Sequence, residues 1–157
     1  MSFAVVEPWV EAPLRRFVDD ARVLLALLLH PSGQVLGQSG FTRAVDVMSA
    51  CALAAAIHAS SSALGHQLDG KPFAALHHAG RERQVYIAEA TTPRGRFVFL
   101  TVFDRESSLG LVNLYFDEFR RALAAAAPAE EPKRGPVLAE TFERDLNVNL
   151  AVLFGRA

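Results

Sequence analysis

The chain has 157 residues, 51% of them hydrophobic and 21% charged, with a net charge of −1. That is about one domain, long enough to bury a core without covalent staples, and the near-neutral balance excludes a basic nucleic-acid binder and a polyacidic tail protein. The single cysteine, Cys51, rules out an intrachain disulfide, fits a reducing compartment, and in its Ala-rich setting reads as a small buried hydrophobe rather than a nucleophile.

The opening MSFAVVEPWVEAP has no basic region, and VLLALLL (Val23 to Leu29) is far shorter than the about 20 residues that cross a bilayer, so a soluble, cytoplasmic protein is expected. A short helix around Leu14 to Arg22, bounded by Pro8 and Pro13, leads to two apolar stretches. They are β1, Val23 to Leu29 within about 22–30, and β2, about 33–39, joined by His30-Pro31-Ser32-Gly33, which is hairpin chemistry and too short for a parallel crossover. From about 44 to 65 the chain is mostly Ala, Ser and Leu with no turn signal before Gly65, which predicts a long helix. Three strands follow, divided by Ala79-Gly80-Arg81 and Pro93-Arg94-Gly95: β3 around Phe73 to Ala79, β4 in RERQVYIAEATTP, and β5 from Phe97 to Phe103, an antiparallel meander.

β1 and β5 are apolar on both faces, whereas β4 alternates Gln84 and Tyr86 with Val85 and Ile87, so β1 and β5 belong in the middle of the sheet with helices over both faces. A last helix spans about Ser108 to Ala126, with Ser107 or Ser108 as N-cap and Leu109, Val112, Phe116, Phe119 and Leu123 as its buried stripe. Leu111, Leu114 and Tyr115 fall elsewhere around it, which suggests an extended start or a second packing surface. Residues 127–136, APAEEPKRGP, read as a linker. Beyond them Leu138, Phe142, Leu146, Leu150 and Leu153 recur at helical spacing, an amphipathic tail helix over 137–157 that is either a detached docking element or a clamp. The expected fold class is therefore α/β (α+β), in the order α-β-β-α-β-β-β-α with a tail helix: a domain over 1–126, a linker and the tail.

Chemistry is sparse. His77 and His78, adjacent on a strand, point to opposite faces, and His58 and His66 are too far apart on a helix to chelate, so surface or edge histidines are expected rather than a metal site. HPSGQVLG is not a phosphate loop, Ser60-Ser61-Ser62 has no catalytic partner at a telling separation, and Asp104, Glu106, Asp117 and Glu118 form no acid–base pair. No catalytic residue, cofactor or metal is expected. The long helix stands out instead. One face suffices to cover the sheet, and small residues on the rest permit close approach of another backbone, a flat protein-binding surface or self-contact; high helix propensity with nothing bound is the plain alternative.

LLLHPSGQVLGQSG, the helix ending SALGHQLDGKPF, HHAGRERQVYIAEA and above all VFLTVFDRESSLGLVNLYFDEF resemble the Roadblock/dynein light chain family over about Ala21 to Ala126, most closely its bacterial MglB-like branch. The resemblance implies a five-stranded antiparallel sheet with one long helix on one face and the terminal helices on the other. It also implies a homodimer that pairs the long helices and the β3 edges, with Phe73, Leu76 and His78 as edge candidates. On the paired helices a Ras-like small GTPase of the MglA type would sit, contacted by Ala55, Ala59, Ser62 and Ala63. Such proteins act as GTPase activators without an arginine finger, in bacterial cell polarity or gliding motility, and their tail helix, here Phe142, Leu146, Leu150 and Leu153, can touch the GTPase at a second place. His30 departs from the family, which commonly has an acidic residue there. The competing expectations are a non-catalytic scaffold of the same fold and a small-molecule sensor, the latter disfavoured by the packed Val, Leu and Phe of β1 and β5.

Overall fold

In the computed structural model, which describes residues 7–128 and Val148, the elements are α1 (Pro8–Ala21), β1 (Leu25–Leu29), β2 (Val35–Gly40), a 3-10 turn (Thr42–Ala44), α2 (Val47–Asp69), β3 (Ala75–Ala79), β4 (Gln84–Thr92), β5 (Gly95–Phe103) and α3 (Leu109–Ala126). The strands form one sheet in the order β2-β1-β5-β4-β3, antiparallel throughout. β1 and β5 lie inside it as their two-faced apolarity requires, every residue of β1 being buried. Alternate side chains feed two cores. Ala26, Leu28, Phe97, Phe99 and Phe103 meet α1 and α3 on one face; Leu25, Leu27, Leu29, Val98 and Leu100 meet α2 on the other. Phe99 is the hub of the first core, with ring centroids 4.9 Å from Phe17, 5.0 Å from Phe116 and 4.9 Å from Phe119. The one buried hydroxyl between β1 and β5, Thr101, donates to the Leu25 carbonyl at 2.7 Å, so its burial carries no unpaired polar atom.

Several expectations are corrected by the packing. α1 begins at Pro8, and Pro13 lies inside the helix instead of bounding it. Proline there forgoes one helical hydrogen bond, but Val10 and Leu14, one turn apart on either side of it, are both fully buried and hold the helix to the sheet. α2 starts at Val47 and runs through Gly65 to Asp69, ending at Gly70 in the left-handed region (φ 73°). Gly65 is there for space rather than as a stop: a Cβ on it would lie 2.6 Å from the Phe73 backbone nitrogen, where the chain folds back toward β3. Gly65→Ala is therefore expected to cost about 1–3 kcal/mol in urea denaturation, the usual range for overpacking. Phe73 belongs to that returning connection, not to β3, which begins at Ala75.

His30 fills the place of the family's acidic residue: its Nδ1 accepts from the Ser32 N–H at 3.1 Å and closes the hairpin turn. At the other end of the sheet, Ser107 and Ser108 divide the work. The Ser107 hydroxyl donates to the Ala21 carbonyl at the end of α1, and the Ser108 side chain caps α3 by accepting from the Leu111 N–H at 3.2 Å. α3 is helical from Leu109, so it has no extended start; Leu114 faces solvent and Tyr115 lies half-buried against α1. Most of the expected linker and the tail-helix residues Phe142, Leu146, Leu150 and Leu153 lie outside the described residues.

Candidate functional site

α2 is the only helix on its face of the sheet among the described residues, and the way it is seated decides what it offers. Asp46 caps it, accepting the Ser49 N–H at 3.2 Å and the Ser49 hydroxyl at 2.9 Å, and these bonds hold the Asp46 carboxyl below its ordinary range. A depressed folded-state pKa means that the cap stabilises above the unfolded value and is lost as pH falls through the folded one. The first-turn amides of α2 are expected to lose hydrogen-exchange protection on acidification, and Asp46→Ala to show that loss already at neutral pH.

The helix rests on the sheet through small residues, Cys51, Ala54 and Ala55, and Gly65 is buried against the connection to β3. The expectation that small residues would form the outer face is thus reversed in part, because a helix with a small inner face sits close to the strands and leaves its larger side chains outside. Ala55, at 8% exposure, packs among Leu27, Leu29 and Val98 and leaves the set of candidate contacts. Cys51 is fully buried and its thiol is pushed up by that burial. A buried, protonated thiol is a poor nucleophile, so Cys51 is expected to react with a thiol reagent only after denaturation. His58, expected at the surface, points inward, with Nε2 3.5 Å from Glu89 Oε2; Arg96 approaches the other carboxylate oxygen at 3.9 Å.

Outside, α2 has two flanks. Leu53, Leu64 and Leu68 are 64%, 50% and 67% exposed, and at helical spacing they share a side with half-buried Ile57. This side overhangs β3: Ile57, Ser60 and Leu64 line an open groove of about 380 Å³ with Phe73 and Leu76. Among the described residues the β3 strand beside it hydrogen-bonds only to β4 and is exposed except for half-buried Leu76, so its outer edge is there a row of unpaired backbone groups. His78 is exposed there, while His77 points to the opposite face, stacked on Phe103 at 6.0 Å and paired through Nε2 with Gln84 Oε1 at 2.7 Å. The second flank carries the remaining candidates: Ala59 and Ala63 are exposed and Ser62 is half-buried. Among the described residues no group of three or more His, Cys, Asp or Glu side chains could hold a metal ion. α2 is long and apolar enough to cross a membrane by length and composition; its inner face is committed to the sheet, and what is unsatisfied is one apolar flank.

No family model and no curated protein sequence matches the chain. Solved structures do. MglB of Myxococcus xanthus superposes with a TM-score of 0.68 at 27% sequence identity, over 75% of this chain and 94% of that one. An MglB with a tetrameric arrangement gives 0.66 at 25% identity, over 81% of this chain and 93% of that one. The chain has the Roadblock fold and is MglB-like. The Roadblock/LC7 domain from Streptomyces avermitilis, at 16% identity and a TM-score of 0.59 over 76% of this chain and 96% of its own, shares the fold. In this MglB-like chain the residues missed from sequence are Leu53, Ile57, Leu64 and Leu68. Their spacing was legible, but the surrounding run of Ala and Ser makes the helix look small on every side.

Proposed function

We propose that this protein is a homodimeric regulator that binds a Ras-like small GTPase of the MglA type and stimulates its GTP hydrolysis. The carrying observation is the exposed leucine flank of α2 beside the bare β3 edge. An isologous contact would cover the flank of each copy with that of the other and join two β3 edges into one sheet. A described tetrameric arrangement of one MglB supports self-association. The second flanks, with Ala59, Ser62 and Ala63, would then stand together as a platform on which small side chains admit a partner closely.

The protein supplies no active site and no arginine finger; binding that favours the hydrolysis-competent conformation of the GTPase accelerates the reaction through the GTPase's own residues. No cofactor, metal, nucleic acid or membrane insertion enters this function, which belongs in the cytoplasm at a cell pole, in polarity or gliding motility. Single-turnover GTP hydrolysis by an MglA-type GTPase, with and without this protein, tests it. Acceleration is the expected result. Binding without acceleration makes the protein a scaffold linking the GTPase to other proteins, and no binding removes the GTPase altogether.

A further inference from the structure

The face of the sheet that α2 covers does not end at the helix. Along β4 the side chains on that face are Ile87, Glu89 and Thr91, and along β5 they are Arg96, Val98 and Leu100, with Glu89 opposite Val98 and Thr91 opposite Arg96. Ile87 packs in one cluster with Ile57 and Leu76, on the side of the leucine flank. Two residues on, Glu89 meets His58; two further, Thr91 is exposed, as is Arg96 across from it. The strands therefore run out from under α2 on the side of its second flank. The β1–β2 turn reaches the same end of the sheet, where a Cβ on Gly33 would lie 3.4 Å from Ala52 Cα, and Ala52 is two helical turns from Ala59 on that flank. Ala59, Ser62 and Ala63 thus rise as a wall above a floor of Glu89, Thr91 and Arg96.

The floor is predominantly cationic. From Gln84 to Phe103 the chain has one carboxylate, Glu89, against Arg94 and Arg96. Glu89 Oε2 faces His58 Nε2 at 3.5 Å, while Arg96 Nη1 is 3.9 Å from Oε1, beyond the about 2.7–2.9 Å of a charge-assisted hydrogen bond. The Arg96 side chain, 72% exposed, keeps its N–H donors for a group outside the chain. Arg94 is exposed at the hairpin tip and has no ion-pair partner among the described residues. The tip itself is closed: the Thr92 hydroxyl accepts from the Arg94 N–H at 3.0 Å and donates to the Gly95 carbonyl at 3.2 Å. Both arginines are carried by a preformed turn, so little backbone ordering is needed to use them.

We infer that Arg94 and Arg96 form a polar rim of the GTPase platform and select a partner that carries carboxylates where it meets the β4–β5 hairpin. This rests on the GTPase reading and adds to it the chemistry of the partner's surface. A planar guanidinium offers paired donors to a carboxylate, and rim charges act mainly on the rate of association, through an attraction that salt screens. The test is stopped-flow association of an MglA-type GTPase, loaded with a non-hydrolysable GTP analogue, with the unaltered protein, Arg94→Ser/Arg96→Ser, Arg94→Lys/Arg96→Lys and Thr91→Lys. At low ionic strength the Ser pair is expected to associate about tenfold more slowly with dissociation little changed, and the gap to close at about 0.5 M salt. The Lys pair keeps most of the rate. Thr91→Lys, which adds a cation to the same floor, associates faster than the unaltered protein, a gain that no loss of structure produces. Equal rates for the unaltered protein and the Ser pair, or a gap that salt does not move, overturn the proposal and leave the GTPase reading standing. Association with none of the four proteins overturns both. Equal rates accompanied by arginine-dependent binding to phosphatidylserine vesicles overturn it in favour of a membrane surface.

Discussion

Leu64→Glu is expected to convert the proposed dimer to monomer, weakening self-association by 100-fold or more. Leu64 is 50% exposed in the single chain and borders the groove formed with Phe73 and Leu76, so the domain loses little by the change. In an isologous interface the substitution is felt twice, once in each copy. A carboxylate buried there without a partner is expensive, and about 1.4 kcal/mol per copy already gives a tenfold loss each time. Sedimentation equilibrium reads the outcome directly. A dimer of undiminished affinity, with an unchanged thermal midpoint, would place self-association somewhere other than the α2 flank.

Phe99→Ala acts on the other core and on stability alone. Phe99 is fully buried at the centre of β5, in contact with Phe17 from α1 and with Phe116 and Phe119 from α3. Its removal leaves a cavity walled by three aromatic rings, none of which can close in without pulling its helix off the sheet. The expected loss is about 3–5 kcal/mol, a large part of the 5–15 kcal/mol that holds a typical domain together. Urea denaturation of the variant should show a midpoint shift of that size, or a chain already partly unfolded in buffer. A loss under about 1 kcal/mol would mean that the core relaxes around the gap and that Phe99 is not its hub.

Much of the fold was legible because strand periodicity is a local signal. The two-faced apolarity of β1 and β5, the hairpin chemistry at His30 to Gly33 and the alternation of β4 set the strand order, and each depends on residues a few positions apart. What was not legible depends on neighbours distant in sequence. Gly65 looks like a helix stop until the returning backbone at Phe73 explains it, and Pro13 looks like a boundary until Val10 and Leu14 are seen buried on either side. The candidate site suffered most from this. A helix made largely of Ala and Ser can be rotated on a sheet with little change in its own energy, so its inner face is chosen by the contour of the strands. The sheet took Cys51, Ala54 and Ala55 inward, which moved Ala55 out of the contact set and turned Leu53, Leu64 and Leu68 toward the exterior.

The central claim is that the outer face of α2 receives the GTPase. Titration of an MglA-type GTPase, loaded with a non-hydrolysable GTP analogue, into this protein and into Ala59→Arg puts it to trial. Ala59 is exposed on the flank away from β3, so the variant should keep its fold and its dimer. The expected result is a loss of affinity of about 100-fold or more, equivalent to roughly 3 kcal/mol, because a long, hydrated cation occupies the place where backbone must approach. Equal affinity of the two proteins, both dimeric, would contradict it and move the GTPase off the α2 platform.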